Sequence, residues 1–434
     1  MSKRLLFLLC AALACAMLVT ACGDDEGGGG GTAGTEETGS TEGAKVIDPA
    51  SMESAKGVVN YCTGKDTSGD LKEGVEEFNK ANPDLQVKLV EFPEEAQLQH
   101  DQFTQRQRAK SADCDGFEED VVWTAEFASQ KWLYDMTPYI ESRKDEFIPS
   151  TLESITFDGK NFGAPRVTDA GLLYYRTDQV DTVPETWQGV YEEAAANDGI
   201  VYQGSSYEGL TVNFLELAFA AGGSVISDDG KESTINSPEN VKALQFMVDG
   251  IADGAAPKAV TTMTEEPARR TWESGKATFM RNWPYCYALS QAAPKVKGKF
   301  GVAPYPSFEG GTQAAILGGH NMVISVYSQN PGGTLKFIDY MTGADRMKRN
   351  AIKFSKAPVL TETYQDPDVI KALPFAPDLQ KAVEQAKSRP VSPVYPQISE
   401  AIFKNVNQAL AGGASPEDAL KKADEDINAA LQTF

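Results

Sequence analysis

The side chains best suited to chemistry are aromatic and acidic, and they come in short clusters. Trp123, Tyr174, Tyr175, Trp283, Tyr285 and Tyr287 fall at the ends of predicted strands, with Asp66, Asp120, Glu126 and Asp169 nearby. An aromatic face packs on a patch of C–H groups, and a carboxylate accepts hydrogen bonds from two hydroxyls. Together these chemistries suit a polyhydroxylated ligand in a cleft of mixed apolar and polar lining. Aromatic residues near strand ends are also common core material, so on its own the pattern leaves both readings open.

Other chemistries lack their motifs. There is no GxxxxGK(S/T) loop for nucleotide phosphates and no GxSxG nucleophile elbow. His100 and His320 are the only histidines, so neither a histidine metal centre nor a Ser–His–Asp triad is expected. His320 reads first as structural. No cofactor is expected and no catalytic residue is assigned. The 62 acidic residues do leave room for a carboxylate-pair glycosidase, which stands as the enzyme alternative. The net charge of −22 argues against nucleic acid or an anionic membrane as partner.

These residues must be positioned by regular elements. Gly57 to Tyr61 predicts a buried strand, Leu71, Val75 and Phe78 one face of a helix, and Leu85, Val87 and Leu89 an alternating strand. Strand, helix, strand with short connections opens a parallel α/β sheet. Asp120 to Thr124 predicts a third strand before a helical stretch, and Gly171 to Arg176 another strand. Ser237-Pro238-Glu239 and Ser415-Pro416-Glu417 each combine a capping serine, proline at the first helical position and an acid. Val241, Leu244, Met247, Val248 and Ile251 should face inward behind the first. Ala419, Leu420, Ala423, Ile427 and Leu431 should do so behind the second.

The N-terminal residues have a different character. Lys3 and Arg4 precede an apolar run, and Val19-Thr20-Ala21-Cys22 has the order of a lipobox. Residues 1–21 therefore read as a signal peptide and Cys22 as the lipidated residue, which predicts an exported protein held on the outer face of a membrane. Residues 22–45 read as that cysteine and a Gly-, Thr- and Glu-rich tether, reaching roughly 25 Å as a flexible coil. Cys62, Cys114 and Cys286 remain in the mature chain. At most one pair can form within it, and Cys62 with Cys114 is favoured because they flank strands expected to be neighbours.

At this point several segments resemble the extracellular solute-binding proteins of carbohydrate ABC importers, within them the trehalose- and maltose-binding branch, and the actinobacterial trehalose-binding lipoproteins in particular. The likeness is carried by Asp120-Val-Val-Trp-Thr-Ala-Glu126, Thr168-Asp169 before Tyr174-Tyr175-Arg176, and Arg281-Asn282-Trp283-Pro284-Tyr285. Leu317-Gly318-Gly319-His320 and Arg389-Pro390-Val391-Ser392-Pro393-Val394-Tyr395 add to it. It runs from about Val58 to Leu431. The resemblance implies an α/β, type II periplasmic-binding fold with two discontinuous lobes, residues 46–167 with 305–356 and residues 168–304 with 357–434. Crossovers are expected near Arg166–Asp169, Val302–Pro306 and Lys356–Pro358.

It also implies a monomer that captures a trehalose- or maltose-like disaccharide and hands it to the transmembrane subunits of a permease. Carried over by position, the implied ligand residues are Asp66, Glu126, Asp169, Trp283, Gly319 and Arg389. Asp169 and Arg389 would bond hydroxyls, Trp283 would stack on a pyranose, and Gly319 would allow backbone close to the sugar. Where relatives often carry Asp, this chain has Ala125. The remaining alternative is a binder of the same fold for another solute, such as a longer oligosaccharide, a polyol or a peptide.

Overall fold

The computed structural model describes residues 43–433. The expected signal segment, Cys22 and nearly all of the tether lie outside the described residues. The fold takes hold at Lys45, whose carbonyl accepts from the Asp135 N–H, and Ile47 is already buried.

Nine strands build two sheets: β1 (Gly57–Gly64), β2 (Leu85–Phe92), β3 (Gly116–Asp120), β4 (Ala164–Ala170), β5 (Leu172–Arg176), β6 (Ile200–Val201), β7 (Phe279–Asn282), β8 (Phe300–Ala303) and β9 (Leu317–Ile324). The first sheet has the order β2-β1-β3-β9-β4, with β1 parallel to β2 and β3, and β9 antiparallel to β3 and β4. The second has the order β8-β5-β7-β6. Helices cover both sheets, giving two α/β lobes.

The chain passes between the sheets three times. It leaves the first sheet at Gly171, between β4 and β5, slightly later than expected. It returns between β8 and β9, and near Lys356, where the Thr168 N–H donates to the Ala357 carbonyl. Gly171 is needed at the first passage. A Cβ there would lie 2.0 Å from the Tyr305 hydroxyl and 2.4 Å from a Glu216 carboxylate oxygen.

Local chemistry explains the helix that opens the first lobe, α1 (Asp70–Ala81). Leu71, Val75 and Phe78 form its buried face, and Gly69 adopts φ 87° at its start, a conformation that favours glycine. The Asp66 carboxylate accepts from the N–H groups of Ser68, Gly69 and Leu71, fixing the loop before it. Ser237 caps α2 (Pro238–Ala252) and Ser415 caps α3 (Pro416–Leu431), each accepting the N–H three residues on. The buried face of α3 holds Ala419, Leu420, Ala423 and Ile427. That of α2 is rotated from the expectation: Ala243, Leu244, Met247 and Gly250 are buried, while Val241, Val248 and Ile251 are only half-buried.

The third strand also differs. It spans Gly116–Asp120, and residues 121–123 turn into a short helix, Thr124–Ser129. Its sequence, Gly-Phe-Glu-Glu-Asp, does not alternate as a strand should, because Glu118 and Glu119 are both buried. Their compensation comes from distant residues. Arg166 and the Thr63 hydroxyl hold Glu118, and Thr124 donates to Glu119.

Cys62 in β1 and Cys114, just before β3, are joined by a disulfide with Cα atoms 5.6 Å apart. Cys286 is a buried free thiol.

Candidate ligand cleft

A cavity of about 200 Å³ lies between the lobes, with walls from both sheets. Trp283, just past the end of β7, contributes an aromatic wall. Two residues earlier on the same side of the extended chain, Arg281 places its guanidinium carbon 4.0 Å from the Trp283 ring centroid. Arg281 is itself fixed. It donates to both carboxylate oxygens of Glu216, at 2.9 and 2.5 Å, and to the Gln203 side-chain oxygen at 2.9 Å. A Cβ on Gly318 would fall 3.0 Å from the Trp283 ring and 3.3 Å from the Asp169 Cβ. The glycine lets the ring and the acid close on one spot of β9.

Asp169 stands at the end of β4 and lines the cleft. Among the described residues, its carboxylate has no hydrogen-bond partner. Removal from water pushes its pKa up to about 7, against the opposing charges of Lys356, Arg166 and Arg281. An acid held in place with no partner is available to accept from a ligand.

A second group of charges is already paired. Arg166 donates to Asp70 at 2.5 Å and, through Nε, to Glu118 at 2.7 Å. Burial alone would raise the Asp70 pKa, but Lys356, Arg166 and the Ser68 hydroxyl outweigh it, and Asp70 titrates well below the ordinary range. Arg389 is buried and bridges the lobes. Its Nη1 donates to Glu208 at 2.7 Å and its Nη2 to Asp120 at 3.0 Å. Glu208 also accepts from the Tyr395 hydroxyl at 2.5 Å. On β9, His320 lies opposite Asp120 and lines the cleft, and burial lowers its pKa.

Five of the six residues singled out in the sequence therefore line the cleft: Asp66, Asp169, Trp283, Gly319 and Arg389. Three of those five have other work, Arg389 among them through its ion pairs to Asp120 and Glu208. Both Asp66 oxygens accept from their own loop. Gly319, at φ 124°, is required because a Cβ would strike the Val167 carbonyl at 2.2 Å, so strand pairing, not ligand approach, excludes a side chain. Glu126 is not in the cleft. It is buried in the first lobe, with Oε2 2.6 Å from His100 Nε2, because the short helix carrying it is buried on every side. Of the aromatic residues singled out in the sequence, only Trp283 and Tyr285 reach the cleft. Trp123 packs with His100, Phe103 and Phe127, and Tyr174 is fully buried.

This arrangement, two α/β lobes closing on an aromatic platform and an uncommitted acid, is accompanied by a match of residues 64–348 to the family model described as bacterial extracellular solute-binding protein. The chain is an extracellular solute-binding protein. It shares 36% identity over 373 residues, 81% of this chain and 88% of the other, with a probable ABC transporter-binding protein of Deinococcus radiodurans. Its fold matches that of maltose-bound MalE3 from T. maritima with a TM-score of 0.82 and 36% identity, covering 85% of this chain and 98% of that one. The GacH receptor of Streptomyces glaucescens, solved unliganded and with acarbose, has the same fold. Its TM-score is 0.79 at 24% identity, over 87% of this chain and 99% of that one. The relatives of this family are solute-binding proteins of ABC transporters and not enzymes.

The solute-binding protein also has cleft residues that the sequence reading missed. Asp70, Arg166, Glu265 and Lys356 line the cavity. In the sequence Arg166 stands out only as a crossover position, and Asp70 carries no signal of its own. Arg281 was visible as the first residue of the Trp283 motif, yet nothing in its spacing shows that it supports the indole.

Proposed function

We propose that the cleft captures a neutral disaccharide, trehalose- or maltose-like, and that the protein delivers it as a monomer to an ABC permease. The observation that carries this reading is the Trp283 ring, held by Arg281, with the Asp169 side chain approaching the same spot of β9 at Gly318. The indole stacks on the C–H face of one pyranose, and Asp169 accepts from its hydroxyls. The likeness to a maltose-bound protein at 36% identity supports a ligand of that class. Arg389 has a different role from the one implied by the resemblance. Already bonded to Asp120 and Glu208, it ties the lobes together around the ligand. Only the closed form engages both walls, so ligand shifts the population from open to closed. A lipid on Cys22 keeps the protein at the outer face of the membrane.

Thermal unfolding of residues 46–434 against sugars, polyols, amino acids and peptides tests this reading. A ligand at 100 times its dissociation constant stabilises the fold by about 2.7 kcal/mol. A shifted midpoint with trehalose or maltose, without turnover, is expected. A shift confined to another solute class, or hydrolysis of the sugar, overturns the assignment. The anchor has its own test. Cys22→Ala should release the protein into the medium, and retention at the membrane would refute lipidation.

A further inference from the structure

The lining of the cleft is unbalanced in charge. Eight carboxylates and four lysine or arginine side chains face it. Three of the four cations are committed. Arg166 is held by Asp70 and Glu118, Arg389 by Asp120 and Glu208, and the Lys356 ammonium lies 3.7 Å from Asp70. Pulling either arginine toward a ligand would strand a buried carboxylate, which is strongly unfavourable. Lys65 is exposed at the rim, where its charge acts on Glu94. Burial disfavours the cationic form of His320.

The carboxylates are not all committed. Asp169 and Glu265 both line the cleft, and among the described residues neither forms an ion pair. Glu265 accepts from the Tyr207 hydroxyl and the Trp283 indole, and the Asp169 Cβ and the same indole both lie within 3.3 Å of the spot that a Cβ on Gly318 would fill. The two acids thus flank the platform on which a sugar ring would rest. Glu94 adds a third acid at the mouth, within the field of Lys65.

We propose that the cleft selects by charge, taking neutral and amine-bearing saccharides and rejecting those with a carboxylate or phosphate, with Asp169 and Glu265 setting the filter. The proposal rests on the reading of the cleft as a sugar site. An anionic substituent would share a space with two acids that form no ion pair and find no buried cation free of a carboxylate, whereas an ammonium group would find two acceptors.

The test is titration calorimetry at pH 8, above the pKa of about 7 of Asp169. Trehalose and maltose are each compared with their 6-amino-6-deoxy, 6-phosphate and 6-O-methyl forms. The amine should bind at least as tightly as its parent sugar, the methyl ether within about tenfold of it, and the phosphate at least about 100-fold more weakly. In the double variant Asp169→Asn, Glu265→Gln the ratio of phosphate to amine dissociation constants should shrink by about tenfold or more. A phosphate within about threefold of its parent overturns the proposal. So does a methyl ether as weak as the phosphate, or a ratio unchanged in the variant. If the neutral parents themselves fail to bind, the sugar reading falls and takes the filter with it.

Discussion

The guanidinium carbon of Arg281 lies 4.0 Å from the centre of the Trp283 ring. That contact ends a chain of fixed groups beginning at a passage between the lobes. Gly171 leaves room for Tyr305, the Tyr305 hydroxyl donates to Glu216 at 3.0 Å, and Glu216 holds Arg281. The aromatic wall of the cleft is therefore referenced to the hinge and not only to its own strand.

Trp283→Ala should weaken disaccharide binding at least about tenfold, given about 0.5–1.5 kcal/mol for aromatic contact beyond the area buried. Calorimetry gives the affinity and circular dichroism checks that the fold persists. Arg281→Ala should act differently. It leaves Glu216 buried without its cation and should destabilise the second lobe by about 3–5 kcal/mol, measured by urea unfolding.

Asp120→Asn removes the first-lobe charge that Arg389 reaches, while Glu208 keeps its partner. The closed form should lose stability, so every ligand should weaken by a common factor of about ten. Small-angle scattering of the free protein should show a larger radius. A loss confined to one sugar would mean that Asp120 touches the ligand.

Two acids give stability a specific pH dependence. Burial raises Asp169 to about 7 and Glu119 to about 8. In the unfolded chain both titrate near 4. Between those limits the folded protein holds protons that the unfolded chain has released, so stability falls as pH rises through the window. Glu119→Gln should flatten the melting temperature between about pH 5 and 8, and an unchanged slope would count against a neutral Glu119. Asp169 accepts hydrogen bonds best when ionised, so sugar affinity should rise as pH passes about 7. Titrations at several pH values check this.

The Cys62–Cys114 disulfide closes a separation of 52 residues and ties β1 to the residues before β3. Loop-closure entropy gives such a bond a contribution of about 4 kcal/mol. Replacing both cysteines by serine should lower stability by up to that amount without changing sugar affinity. A change in affinity would show that the bond also shapes the cleft.

The sequence by itself determined the elements whose signals are local. The spacing of Leu71, Val75 and Phe78 gave α1, and the capping serines 237 and 415 gave the starts of α2 and α3. The Arg281-to-Tyr285 segment marked an aromatic wall through its resemblance to a known family. Tertiary structure alone decided which acids are free. Asp66, Glu126 and Asp169 look alike as residues beside aromatic clusters. Folding spends Asp66 on its own loop, pairs Glu126 with His100, and leaves only Asp169 without a partner. The β3 strand lies before the expected Asp120 to Thr124 for the same reason. Its buried Glu118 is satisfied by Arg166, 48 residues away, and no local pattern records so distant a partner. Periodicity reports which side of an element is apolar. The state of a buried charge depends on what the rest of the chain brings to it.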